Sequence, residues 1–126
     1  MIHDRHFTRT EAQALLPALE TLLGELRTAK DSLTDEEAHR ALSEAAGGNG
    51  GGAEGRRVGQ AFLRVRELLG TIQEMGVVVR DIDSGLVDFP AMLEGREVYL
   101  CWRSGEQGVD HWHDLEAGFG GRVPLD

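Results

Sequence analysis

The chain has little of several residue types, and each shortage excludes a class of protein. It contains one cysteine in 126 residues, so no disulfide can form within it. It has no uninterrupted apolar run of the length that crosses a membrane, and no charged start followed by an apolar stretch that marks a signal peptide. We therefore expect a cytoplasmic protein with no membrane partner, held together by its hydrophobic core.

Positive charge is scarce as well. The chain has 13 lysine and arginine residues against 22 acidic ones, which gives a net charge of -9 at pH 7. Such a surface does not attract nucleic acid or anionic lipid, so no nucleic-acid partner is expected, and cations or basic partners are favoured. Hydrophobic residues make up 40% and charged residues 28% of the chain, which is typical of a soluble globular protein.

A first helical region is predicted over residues 7–46. Thr8 and Glu11 have capping-box spacing, and Phe7 is placed to pack against Ala12 at the start of the helix. Pro17 lies beyond the first turn, where it predicts a kink. Apolar residues recur at helical spacing along one seam, which comprises Ala12, Leu16, Leu19, Leu23, Leu26 and Leu33.

A glycine-rich segment, residues 47–55, is predicted to be a flexible linker to a second helix over residues 56–75. The seam of this helix comprises Val58, Phe62, Val65, Leu69 and Ile72. The two seams predict a helical hairpin with more apolar surface than one partner can cover. We expect the remaining apolar surface to be covered either by a sheet or by a second copy of the chain. A homodimer is the expected assembly.

The β-rich region, residues 76–126, places acidic side chains on its strands. Val77 to Asp83 and Leu86 to Pro90 flank Ser84-Gly85, which predicts a hairpin with a two-residue turn. In that register Asp81 lies opposite Asp88, and Asp83 joins them on the same face. Opposed carboxylates are unfavourable unless a cation, a proton or an arginine offsets their charge. The pattern therefore predicts either a divalent-metal site or a set of salt bridges.

Two further strands carry the remaining polar groups. The strand over residues 96–103 alternates its side chains, so that Tyr99 and Cys101 face away from Val98, Leu100 and Trp102. Cys101 is interpreted as an inert buried thiol because aromatic residues flank it.

The last strand reads Asp110-His111-Trp112-His113-Asp114, and alternation places His111 and His113 on one face. Such a pair offers imidazoles to a metal ion, with nearby aspartates as further ligands. A solvated or hydrogen-bonded histidine is the simpler interpretation of each ring.

The segment DIDSGLVDFPAMLEGREVYLCWRSGE, followed by WHDLEAGFGGR, resembles the signature of the prokaryotic family called domain of unknown function 2203. The FTRTEAQALLP stretch at residues 7–17 resembles the entry to the helical region of that family. The resemblance implies an uncharacterised bacterial protein, locates a site in the C-terminal region and implies no reaction. It favours His113 over His111, whose position varies in the family. The family-like positions are Asp81, Asp83, Asp88, Arg96, Tyr99, Cys101, Trp102, Glu106, Trp112, His113 and Arg122.

Two hypotheses follow for these residues. In the first, the chain binds a divalent metal or a small anionic ligand, and its metal ligands are Asp81, Asp83, Asp88 and His113. In an enzymatic form of this hypothesis Glu106 is the general base, Arg96 or Arg122 orients an anionic substrate, and Trp102 and Trp112 line the pocket. In the second, the chain is a non-catalytic homodimeric or adaptor module, its charged cluster is a salt-bridge network, and the tryptophans are core or interface anchors.

The predicted fold class is α+β. We expect a single domain, residues 1–126, in which an N-terminal antiparallel helical hairpin packs on a small antiparallel β-sheet of three or four strands.

Overall fold

The computed structural model describes residues 1–34 and 53–125. In chain order the helices are α1 (Arg9–Ala14), α2 (Leu16–Thr34) and α3 (Ala53–Glu74). The strands are β1 (Val78–Asp81), β2 (Leu86–Leu93), β3 (Arg96–Arg103), β4 (His111–Asp114) and β5 (Val123–Pro124), with a 3-10 turn at Phe119–Gly121 before β5. The α+β class is confirmed, with five strands where three or four were predicted.

The predicted start of the first helix is confirmed. The backbone amide of Glu11 donates to the Thr8 hydroxyl over 3.1 Å, and the Thr8 amide donates to the Glu11 carboxylate over 2.8 Å. The kink predicted at Pro17 is wrong in detail, because the chain breaks at Leu15 and a new helix begins at Leu16. Pro17 thereby falls in the first turn of α2, where its missing N–H has no helical partner to lose.

Helices α2 and α3 pack against each other and against the sheet. The buried stripe of α3 is formed by Val65, Leu68, Leu69 and Ile72. Phe62, predicted to belong to this seam, is 54% exposed, because the core cluster of the described residues reaches only as far as Val65 along the helix. No helix within the two described ranges has the length and apolar character needed to span a bilayer.

Part of the helical prediction lies outside the described residues. This part includes the end of the first helical region, residues 35–46, and most of the 47–55 linker. Helix α3 begins at Ala53, three residues before its predicted start at residue 56.

The sheet is antiparallel throughout, in the order β1-β2-β3-β4-β5. One face packs on the helices through Val87, Phe89, Ala91, Val98, Leu100 and Trp102. Strands β2 and β3 are joined by Glu94 and Gly95, both with positive φ (52° and 79°), as the type I′ hairpin turn requires. The opposite face carries the polar residues of alternate positions, and it includes Asp88, Cys101 and His113.

The register predicted for the first hairpin is wrong. Val78 lies opposite Asp88 and Asp81 lies opposite Leu86, with an irregularity between Val79 and Asp81. The turn is therefore longer than Ser84-Gly85 alone. The Asp81 carboxylate closes it by accepting hydrogen bonds from the backbone amide of Ser84 over 2.9 Å and from its hydroxyl over 2.5 Å. Because of this wider turn, Asp81 and Asp83 are separated from Asp88.

Candidate functional site

A buried cluster of three metal-ligand side chains lies on the sheet face opposite the helices. It comprises Asp88 from β2, Cys101 from β3 and His113 from β4. Asp88 and Cys101 are direct cross-strand partners, and each offers one ligand atom that lies within 4.8 Å of the others and of a His113 nitrogen. The three residues are 2%, 0% and 3% exposed. The arrangement gathers oxygen, sulfur and nitrogen donors at one point.

The ring of His113 is oriented by its own strand. Its Nδ1 lies 2.8 Å from the carbonyl oxygen of Asp114, and since a carbonyl oxygen only accepts, Nδ1 carries the proton of this hydrogen bond. The Nε2 atom is directed at Oδ1 of Asp88, 2.9 Å away. A bare Nε2 and a carboxylate oxygen repel each other, so a proton or a cation must lie between them. A backbone carbonyl on Nδ1 is the usual support for a histidine that ligates a metal through Nε2.

The carboxylate of Asp88 is held from its other side by Arg80. The Arg80 Nε donates to Oδ2 of Asp88 over 2.8 Å, while the guanidinium lies 4.9 Å from the centre of the Tyr99 ring. The Tyr99 hydroxyl is in turn 2.6 Å from Nε2 of His3. Asp88 therefore has one oxygen fixed by an arginine and the other directed at His113.

Burial dominates the chemistry of Cys101. Burial and, to a lesser extent, the neighbouring Asp88 carboxylate raise the pKa of the thiol to about 12, although Arg122 acts in the opposite direction. The predicted burial of this thiol is confirmed. A thiol with this pKa is no nucleophile at neutral pH, but a transition metal can displace its proton and bind the thiolate.

A second polar cluster adjoins the first. Arg122 Nη2 donates to Glu106 Oε1 over 2.9 Å and to His111 Nδ1 over 3.0 Å. Burial raises the pKa of Glu106, but the Arg122 and Arg103 N–H donors outweigh it, so the net pKa lies below the ordinary value. This environment suits a carboxylate that anchors Arg122 better than one that takes up protons.

A cavity of about 310 Å³ opens beside the buried cluster. Its polar wall consists of Arg80, Asp88, Cys101 and His113. Its other wall is formed by the segment after β4, which supplies Leu115, Glu116, Ala117, Gly118 and Phe119, and Leu86 lines the cavity two residues before Asp88 on β2. The three metal-ligand side chains are therefore buried and yet adjoin a space that a small molecule can enter.

The structure brings two of the predicted metal ligands together and leaves two apart. Asp88 and His113 are in contact, whereas Asp81 is engaged in its turn. Asp83 is exposed and pairs with Lys30, with 2.7 Å between the carboxylate oxygen and Nζ. These two aspartates do not belong to the cluster.

The residues predicted to bind a ligand are spread over the sheet. Arg96 pairs with Asp114 over 3.2 Å and lies over the Trp112 ring, at a pocket away from the buried cluster. Trp102 is buried on the core face, and its indole N–H donates to the Glu106 carbonyl over 3.0 Å. Arg122 lies beside the cluster but is not among the residues that line the 310 Å³ cavity.

Two residues of the site were not predicted as such. Cys101 was interpreted as inert, and Arg80 was not singled out. The alternation along β3 did place Cys101 on the face opposite the core, on the same face as Asp88. A thiol on a polar sheet face is the signal by which it can be recognised as a potential ligand. Arg80 lies at the irregularity between Val79 and Asp81, so the direction of its side chain does not follow from the alternation along β1.

The comparison with known families assigns the sequence to a family described as uncharacterised. The family described as "Uncharacterized conserved protein (DUF2203)" matches residues 5–125. The chain belongs to the DUF2203 family. The resemblance inferred from the sequence is thus confirmed over nearly the whole chain. No curated protein matches this DUF2203 chain. No solved structure matches it either.

Proposed function

We propose that this DUF2203 protein binds one divalent transition-metal ion through Asp88, Cys101 and His113, and that zinc is the ion that fits best. The observation that carries the proposal is the convergence of three different ligand atoms within 4.8 Å, from side chains that are almost fully buried. Cysteine sulfur, histidine nitrogen and aspartate oxygen are the three donor types that zinc accepts in proteins.

The geometry needs only a small adjustment to hold the ion. Tetrahedral zinc with bonds of roughly 2.0 to 2.3 Å keeps its ligand atoms about 3.5 Å apart. The Nε2–Oδ1 distance of 2.9 Å between His113 and Asp88 must therefore lengthen by about 0.6 Å, and any separation near the 4.8 Å limit must shorten by about 1 Å. Arg80 holds the Asp88 carboxylate in position, and the backbone carbonyl of Asp114 holds the His113 ring. Both ligands are thus oriented before an ion binds.

Three protein ligands leave one position of a tetrahedral ion open. Metal sites of this kind bind water or a ligand at the fourth position, and they lower the pKa of that water to about 7. The 310 Å³ cavity beside the cluster gives a small molecule access to the open position. The site therefore suits binding of a small ligand at the metal, which is also the arrangement that metal-assisted hydrolysis uses.

The test is metal binding by matched variants. Untagged protein is stripped with a chelator, loaded with zinc or cobalt, and examined by elemental analysis and by competition with a coloured chelator. We expect one metal per chain and, for cobalt, a thiolate-to-metal absorption band that is absent in Cys101→Ser. Asp88→Asn and His113→Gln should lose the metal, whereas His111→Gln, on the same strand, and Asp83→Asn, an exposed aspartate, should retain it. Metal binding that survives all three cluster substitutions would refute the proposal.

A second candidate function is a non-catalytic module in which the same residues form a structural ion-pair network. It is favoured by one observation: both oxygens of Asp88 already have partners, Arg80 and His113. In that case neither zinc nor cobalt binds stoichiometrically. Asp88→Asn then lowers the melting temperature equally with and without added metal.

A further inference from the structure

The cavity beside the cluster has two chemically different walls. On the polar wall, Arg80 extends past Asp88 and is 42% exposed, although its Nε is engaged by that buried carboxylate. On the other wall lie the apolar Leu115, Ala117 and Phe119 and the exposed Glu116, while Leu86 precedes Asp88 by two residues on the same face of β2. A ligand that fits both walls has a charged group at one end and an apolar body at the other.

The sign of the ligand's charge follows from the charged groups around the cavity. A divalent ion held by an Asp88 carboxylate and a Cys101 thiolate is electrically balanced, and His113 contributes no charge when it ligates through Nε2. Arg80 then leaves this wall with one positive charge. Glu116, the remaining charged lining residue, lies in the loop after β4 and is exposed, as Arg80 is. A ligand that places its negative group at Arg80 and its apolar body against Leu115 and Phe119 matches this distribution of charge.

Arg80 also has the donors that such a ligand needs. A guanidinium has five N–H donors, and the Asp88 carboxylate engages the one on Nε. The remaining donors include terminal N–H groups, which bind a carboxylate in a planar, often bidentate arrangement. The Tyr99 ring beneath the guanidinium and the Asp88 contact fix its plane, so little rotational freedom is lost on binding.

The size of the cavity limits the ligand. A volume of about 310 Å³ is at the lower end of the range for small-molecule pockets. It suits a carboxylate with a short chain or a single ring.

We propose that Arg80 is an anion-binding residue and that the ligand of this pocket is a small organic monoanion, a carboxylate with a short apolar body. The carboxylate lies between Arg80 and the metal, and the apolar body packs against Leu86, Leu115 and Phe119. This assignment rests on the metal site proposed above. It replaces Arg96 and Arg122 as candidates for the anion-binding residue, because neither lines this cavity.

The experiment uses the full chain loaded with cobalt, whose visible spectrum changes when an anion enters its coordination sphere. Acetate, propionate, butyrate and benzoate are titrated, with inorganic phosphate as a comparison, after the metal content has been measured. We expect affinity to rise from acetate to benzoate as more of the apolar wall is covered. Phosphate should bind more weakly than butyrate or benzoate.

The matched variants are Arg80→Gln, Arg80→Lys and Arg96→Gln, each checked for one metal per chain and for a cooperative melt. Arg80→Gln should weaken benzoate binding roughly tenfold to a hundredfold, the range expected for loss of a charged hydrogen bond. Arg80→Lys keeps the charge but not the planar donor pair, so we expect a smaller loss. Arg96→Gln should bind benzoate like the unaltered protein. If Arg80→Gln does not fold, the Arg80→Lys variant is used alone. An affinity for benzoate that is unchanged in Arg80→Lys then overturns the assignment of Arg80 as the anion-binding residue.

The possible failures are distinguishable. One metal per chain with no spectral response to any carboxylate overturns the ligand assignment and leaves the metal site standing. The ligand assignment is also overturned if the Arg80 and Arg96 variants lose benzoate affinity equally, or if phosphate binds as tightly as benzoate. A protein that takes up no metal overturns both proposals.

Discussion

Asp88 and His113 form a direct contact of 2.9 Å although their strands are not neighbours in the sheet. Strand β3 lies between β2 and β4, so the two backbones are separated by about 9.5 Å, twice the spacing of adjacent strands. The side chains therefore meet above β3, where Cys101 lies beneath them. The contact joins three strands at one buried point, and it makes the polar face of the sheet a candidate site.

Breaking this contact should be costly even without a metal. Asp88→Ala removes a carboxylate that is 2% exposed and leaves Arg80 and His113 without their partner. Removal of one partner of a buried ion pair lowers the free energy of unfolding by roughly 3 to 5 kcal/mol. We expect urea unfolding in the presence of a chelator to show this loss. In a double-mutant cycle, Asp88→Ala with His113→Ala should cost less than the two single changes added together.

The control for this cycle is Asp83→Ala. Asp83 is exposed and pairs only at the surface, with Lys30, so its loss should change the free energy of unfolding by about 0.5 kcal/mol or less. Strictly additive effects at Asp88 and His113 would show that the contact contributes nothing to stability.

The thiol of Cys101 should react differently in the metal-free and metal-loaded protein. Its pKa of about 12 and its complete burial leave almost no accessible thiolate at neutral pH. We expect a disulfide reagent to modify the native metal-free protein only as fast as the protein opens, and the unfolded protein at once. Metal uptake near pH 7 should also release a proton from the thiol, measurable in a weakly buffered solution. Fast modification of the native metal-free chain would contradict the buried position.

The local part of the fold was predictable from the sequence. The capping box at Thr8 and Glu11 depends on residues three apart, and the structure confirms it. The alternation along β3 likewise separated Tyr99 and Cys101 from the core. Both predictions use spacing within one element, which sequence alone determines.

The site was only partly predictable, because it depends on pairing between elements. The predicted turn at Ser84-Gly85 ignored the ability of the Asp81 side chain to close a wider turn, and this error placed Asp81 opposite Asp88. The contact between Asp88 and His113 requires the registers of two strand pairs at once. No local pattern encodes both registers, so Asp88 and His113 were predicted as ligands together with Asp81 and Asp83, whereas the structure gathers them with Cys101.

Gly85 should tolerate no side chain at the turn that sets this register. Its φ is +69°, and an added Cβ would lie 2.6 Å from the Cβ of Ser104. Gly95 has a similar φ of +79° but open space around it. Gly95→Ala should therefore show only the backbone strain, about 1 to 3 kcal/mol, and Gly85→Ala should cost more because of the added clash. Thermal melts compare the two variants, and equal losses would show that Ser104 does not restrict the turn.

Glu97 binds the N-terminal segment, and the free energy of unfolding should therefore fall at acid pH as this carboxylate is protonated. The Glu97 carboxylate accepts hydrogen bonds from the backbone amides of Ile2 and His3 and contacts His6 over 2.8 Å. The Ile2 amide and the His6 ring are the main groups that lower its pKa, from 4.5 to about 2. Because the folded pKa is depressed, this stabilisation is complete above pH 4.5 and is lost as the pH falls to about 2.

Glu97→Gln tests this dependence. It keeps the shape of the side chain but removes the charge, so it should melt at a lower temperature than the unaltered protein at neutral pH. The difference should shrink between pH 4.5 and about 2, where the carboxyl of the unaltered protein also becomes neutral. Glu74→Gln, at an exposed position on α3, should melt like the unaltered protein at every pH. If the difference in melting temperature between Glu97→Gln and the unaltered protein stays constant down to pH 2, the charge of Glu97 does not hold the N-terminal segment.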